Sequence, residues 1–326
     1  MIIKMAENYI YAVARIRALE TSLFSSSVIE QLISCKTYDQ CLQLLKEKGW
    51  GGADTDNDAE AILKYETDKT WKTVLELVKD PAVFDVLTYP NLFHNLKAAI
   101  KCSVLGEDRI RVFMDKTTPS GEEMLTYLKD KNFTAFPKQM QEAAKEAYEA
   151  FVQTGDGQLC DIIVDQAALK AIHMAGRESK DDIIKQYAES TVAVANIKIA
   201  VRAQKTKKSM EFMMRAMSPC DSLSINALAQ AALSGTEAIK TYLTGAGYGE
   251  AADALNISAS AFERWCDNCI IEEIKPKIYV SSGVGPVVAY ALARENEIKT
   301  VRIALSGVLN GLDKASIGER MRQMYV

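Results

Sequence analysis

Two short motifs alternate three times along this 326-residue chain, and few folds accommodate such an arrangement. The first is a leucine followed four and five residues later by a small or polar residue and an aromatic: Leu45–Gly49–Trp50, Leu128–Asn132–Phe133 and Leu243–Gly247–Tyr248. The second is an asparagine followed at the fifth and sixth positions by Ile or Val and then Lys or Arg. It occurs as Asn95–Ile100–Lys101, Asn196–Val201–Arg202 and Asn296–Val301–Arg302. The asparagines recur with a period of about 100 residues, and six landmarks in strict alternation point to one helical module used three times. Boundaries near Leu105–Gly106 and Ser209 enclose one pair of landmarks each, which gives modules over 1–105, 106–208 and 209–326. Unequal spacing inside the copies makes them related rather than identical.

The module is helical. Tyr9, Val13, Ile16, Leu19 and Leu23 step by three or four, as do Met140, Ala144, Ala147 and Phe151, and then Ile317, Met321 and Met324. Such spacing lays an apolar stripe along one helix face. Strand-like alternation is confined to Lys277–Ile278–Tyr279–Val280. Asp80–Pro81, Thr118–Pro119, Ser218–Pro219 and Gly285–Pro286 have the form of helix starts, and Pro90, Pro137 and Pro276 suggest further boundaries. Gly49–Trp50, Asn132–Phe133 and Gly247–Tyr248 read as helix C-termini, with Gly or Asn left-handed and the aromatic folding back. The expected fold class is all-α.

Charge narrows the partners. Lys+Arg 39 against Asp+Glu 43 leaves a net charge of −4, without the basic surplus of a nucleic-acid binder. Met1 to Leu23 lacks the apolar core of a signal peptide. The longest apolar tract, Val284 to Ala293, is too short to span a bilayer, so any membrane role is expected to be peripheral. Seven cysteines without a regular framework read as reduced thiols of a cytosolic protein.

Candidate chemistry fails on its own terms. Asp54 to Glu60 starts like a calcium loop but has Ala59 where glycine is needed and Tyr65 where glutamate is needed, so it reads as a helix start. Cys266 and Cys269 lack the further ligands of a zinc site, the only histidines being His94 and His173. Gly245-x-Gly247-x-Gly249 lacks the third glycine of a dinucleotide loop. Asp181–Asp182–Ile183–Ile184–Lys185 misses an acid of the prenyl-transferase motif. No catalytic residue, cofactor or metal is assigned. Basic side chains beside the asparagines stand out instead: Lys97 with Lys101, Lys198 with Arg202, and Lys299 with Arg302 each share one helix edge. Docking strips for acidic partners are one reading; the plainer one is charges solvated or paired within the fold. The run Arg202 to Lys208 reads as a solvated helix end. The asparagines themselves read as cross-helix hydrogen-bonding residues.

Tyr11 to Glu20, Asn91 to Lys97, Ala289 to Arg302, Leu309 to Leu312 and Glu319 to Val326 together resemble the C subunits of the V-type (archaeal/bacterial A/V-type) rotary ATPases, counterparts of the eukaryotic d subunit. Thr206 to Pro219 departs most from that pattern. The resemblance implies an all-helical funnel of three similar domains about a pseudo-threefold axis. Such a protein caps the proteolipid ring on the cytoplasmic side and receives the central shaft, made of the D and F subunits. It is a rotor coupling and not a catalyst. Charge placement and repeat equivalence then nominate Arg15, Arg17, Lys97, Lys101, Lys198, Arg202, Lys299 and Arg302 as partner-binding residues. The rival reading is a helical adaptor with soluble partners, which calls for repeats of roughly 33–47 residues.

Overall fold

The computed structural model describes residues 9–55, 57–106 and 112–326, and all regular structure among them is helical. In chain order the α-helices are α1 (Ile10–Glu20), α2 (Ser26–Ile33), α3 (Tyr38–Glu47), α4 (Ala59–Leu77), α5 (Asp85–Leu105) and α6 (Gly121–Lys129). Next come α7 (Gln141–Thr154), α8 (Gly157–Glu178), α9 (Asp182–Lys205), α10 (Met210–Ala216), α11 (Ile225–Ser234) and α12 (Thr236–Gly245). The last are α13 (Gly249–Ile257), α14 (Ala259–Ile274), α15 (Gly285–Leu309) and α16 (Lys314–Gly318).

Local chemistry sets many of the starts. Asp58, from the calcium-like stretch, caps α4 by accepting from the Glu60 amide at 2.9 Å; Asp56 of that stretch lies outside the described residues. Ser120 and Glu123 form a reciprocal capping box on α6, and Asp156, Ser224, Ser258 and Asp313 accept first-turn amides elsewhere. Each aromatic landmark follows a helix of nine or ten residues, and each asparagine landmark lies in a helix of 21 to 25 residues.

The described residues fall into two compact units: those of 1–81 with 181–183 and 248–326, and those of 82–180 with 184–247. In the first, α15 is the hub. Its residues from Pro286 to Gly307 are buried on nearly every face, because α1, α2, α4 and α14 surround it. Leu32, Leu42, Leu45, Ile62, Val301 and Leu305 make the core there. In the second unit α5 packs against α6, α7 and α8, and Phe93, Leu96, Ile100, Met124, Leu128 and Val164 close the centre.

Three proline and strand expectations give way. Pro90 lies inside α5, near enough to its start that the missing amide interrupts only one early bond. Ser218–Pro219 opens no helix; α11 begins later, at its own cap Ser224. Lys277 to Val280 forms no strand, since Lys275–Tyr279 winds into a 3-10 turn with Pro276 at its head.

The helix ends follow the expected geometry with one shift. Trp50 N–H donates to Leu45 O and Gly49 N–H to Lys46 O, both at 2.9 Å, around Gly49 at φ +80°. Gly247 is left-handed likewise, at φ +87°, and its N–H donates to Thr244 O at 3.3 Å. In the second copy the left-handed residue is Lys131 (φ +52°) rather than Asn132, because α6 stops one residue earlier relative to its leucine. Phe133 consequently stays half-buried against Tyr148, and Phe136 fills the core position.

Candidate functional site

An asparagine side chain offers a donor and an acceptor, the complement of one residue's C=O and N–H. Asn95 and Asn196 use both on non-helical backbone downstream, and Asn296 uses its donor there. Asn95 Oδ1 accepts from Met114 N–H at 2.7 Å, and its Nδ2 donates to Met114 O at 2.9 Å and to Thr117 Oγ1 at 2.8 Å. Asn196 takes Ser218 the same way, at 3.0 Å and 2.7 Å. Asn296 Nδ2 donates to Gln323 O at 2.9 Å, while the Gln323 amide goes to Asn268 Oδ1 on α14, also at 2.9 Å. The partners stand 19, 22 and 27 residues along the chain. These are clips on non-helical segments and not the cross-helix bonds expected, since a helix interior has no free pair of backbone groups to offer.

Lys97, Lys101, Lys198 and Arg202 follow their asparagines by two and six positions, away from the clip face, whereas Lys299, three after Asn296, shares its side of the helix. Most are answered within their own unit. Lys97 reaches Asp165 at 2.7 Å and Lys101 reaches Asp161 at 2.6 Å, a ladder in reversed order between α5 and α8. Lys299 pairs with Asp267 at 2.8 Å and Arg302 with Glu60. Arg15 stands 3.5 Å from Glu76. Arg17 is more committed still: it pairs with Glu20 and donates to Lys277 O and Val280 O at 2.6 and 2.7 Å, fastening the 3-10 turn to α1. Lys198 is half-buried and Arg202 exposed, and neither is without an interaction. The structure therefore spreads the nominated residues over several helix edges and brings carboxylates to them.

The densest charge cluster lies elsewhere. Arg294, 5% exposed on α15, donates to Glu66 Oε2 on α4 at 2.6 Å, pairs with Glu297 and reaches Thr70 Oγ1 at 3.3 Å. Glu66 also accepts the Gly51 amide at 3.0 Å, and Glu297 accepts that of Phe24. Trp50 lies with its ring centre 5.0 Å from the Arg294 guanidinium and stacks on Phe24 at 4.9 Å. One side chain thus joins α15, α4 and the turns after α1 and α3. Burial pushes Glu297 up in pKa despite the opposing charge of Arg294. The apolar run around Arg294 gave no sequence signal for these partners; only the aromatic landmark at Trp50 hinted at the spot.

None of this assembles acid–base or nucleophilic chemistry. Burial pushes the Cys160 thiol up to about 11 and that of Cys269 to about 12, away from the reactive thiolate. Glu295 is pushed up to about 7 by burial, and no described residue is hydrogen-bonded to its side chain. Among the described residues no helix is long and apolar enough to cross a membrane.

The sequence pattern of the ATP synthase (C/AC39) subunit family matches residues 12–320. The chain is also similar to the C subunit of the V-type sodium ATPase of Enterococcus hirae, with 23% identity over 323 residues that cover 95% of this chain and 97% of that protein. Matched almost end to end, and helical in all the regular structure of its described residues, the chain belongs to the C/AC39 family of V-type rotary ATPase subunits, which are not themselves catalytic.

Proposed function

We propose that this chain is a rotor coupling: it joins the central shaft, made of the D and F subunits, to the proteolipid ring and transmits torque for ion transport. The family match over residues 12–320 carries the reading. Stiffness supports it, because torque passes through a part only if that part does not yield. Close-packed interiors deform little, and the Arg294 cluster and the three asparagine clips tie helices to the segments between them. A peripheral position against the ring agrees with the described helices, none of which is long and apolar enough to cross a membrane. An asparagine tied to a downstream segment in each copy, through both its amide groups in Asn95 and Asn196 and through one in Asn296, supports reading 1–105, 106–208 and 209–326 as three related modules.

For the shaft contacts we retain Arg15, Arg17, Lys97, Lys101, Lys198, Arg202, Lys299 and Arg302. Exposed ion pairs such as Arg302–Glu60 contribute only about 0–1 kcal/mol each, so an acidic partner surface can exchange with their carboxylates at little cost, while Arg17, held by the buried Glu20 and two carbonyls, exchanges at more. The double substitution Lys198→Glu with Arg202→Glu tests this. Pull-down of the D–F shaft should weaken, and weaken less with Gln at both positions, while thermal unfolding keeps its midpoint. Undiminished capture of the shaft removes these two residues from the interface.

A further inference from the structure

A hollow of about 660 Å³ lies in the first unit where α14 and the C-terminal half of α15 meet residues 317–322. Arg302, Arg320 and Arg322 all line it, against a single lining carboxylate, Glu263. Their charges are incompletely answered. Arg302 pairs with Glu60 yet stays half exposed. Arg322 Nε donates to Asp267 at 2.6 Å, but Lys299 takes the same carboxylate at 2.8 Å, so two cations divide one anion. Arg320 is exposed, and no described residue pairs with its side chain. Ser306 Oγ lies 3.4 Å from Asn310 Nδ2 and can accept from it, which leaves the hydroxyl proton available to the hollow. Ile303 and Leu312 supply apolar wall beside these groups.

We propose that this hollow binds a phosphate-bearing organic anion, gripped by the guanidiniums of Arg302, Arg320 and Arg322 while its body packs on Ile303 and Leu312. Planar guanidinium forks match phosphate oxygens two at a time. A phosphomonoester, with its second pKa near about 6, carries close to two charges at neutral pH and meets the surplus better than a carboxylate does. The volume exceeds that of a bare ion, and the apolar wall favours a ligand with an organic part. Two sources share this chemistry: a soluble phosphate ester and the headgroup of an anionic phospholipid.

The test uses the full chain alone, so its outcome is separate from that of the shaft-and-ring reading. Phenyl phosphate is titrated calorimetrically, and sedimentation with phosphatidylcholine vesicles is compared with and without phosphatidic acid. Binding to either probe is expected to fall by about tenfold in Arg320→Gln, the loss of a charge-assisted contact. Lys48→Gln, an equal charge change at the end of α3, should leave it intact. Because the Arg320 side chain holds nothing in the fold, unfolding of the variant is expected at the parent temperature. Saturation by phenyl phosphate identifies a soluble ligand, and capture only by phosphatidic acid vesicles identifies a lipid. Binding of neither probe, or equal loss in both variants, or full binding in Arg320→Gln, overturns the proposal.

Discussion

Arg294 occupies a place where a guanidinium is costly to desolvate, and it is tolerated because Glu66, Glu297, Thr70 and the Trp50 face all answer it. Arg294→Met keeps much of the volume but leaves two buried carboxylates facing each other. We expect a loss of about 3–5 kcal/mol in urea unfolding; a change below about 1 kcal/mol would show that the cluster is slack. Asp267 behaves in the opposite sense to Glu297. Burial raises its pKa, but bonds and charges from Lys299 and Arg322 outweigh that and hold it below the ordinary carboxylate value. A folded-state pKa below the unfolded one stabilises the protein above that ordinary value, and the contribution disappears as pH falls through the depressed one. The acid limb of the stability profile, below about pH 4, should therefore be shallower in Asp267→Asn. An unchanged limb would mean that the shared carboxylate contributes nothing to acid sensitivity.

Helix ends were the most legible elements. Gly49 and Gly247 take the left-handed conformation that their place after a buried leucine requires, and the apolar periodicity of α1 and α7 appears as written. The stripe of Ile317, Met321 and Met324 does not: α16 stops at Gly318, so Met321 and Met324 pack against the core from non-helical chain. Lys131 broke the pattern because the stop depends on where α6 ends, not on which nearby residue best tolerates φ > 0. Pro90 misled for a similar reason: packing of α5 against three helices outweighs one missing bond. Clip partners such as Met114 and Ser218 were illegible, since backbone groups have no side-chain signature and lie a variable distance from their asparagine. Ion-pair partners on α4, α8 and α14 were hidden likewise, because only folding brings those helices to the basic edges. Trp50, 4% exposed, closes the cap of α3 onto Arg294 and Phe24. Trp50→Asp removes that surface and adds a third carboxylate to a site where one guanidinium already answers two, so a loss of at least about 3 kcal/mol is expected. An unaltered melting curve would deny the aromatic landmark its structural part.

At the scale of the whole molecule, the family is shown and the mechanical role is the reading proposed for it. The C/AC39 assignment rests on a match from residue 12 to residue 320, and close helical packing among the described residues suits a passive transmission part. On the proposed reading, torque passes from the shaft through a body stiffened by buried charge and backbone clips, and out to the ring. Rotation itself is the direct observable. With the stator immobilised and a bead fixed to this chain in the intact ATPase, ATP hydrolysis should turn the bead in the same steps as a bead on the shaft. A bead that stays still while the shaft turns would contradict the rotor assignment.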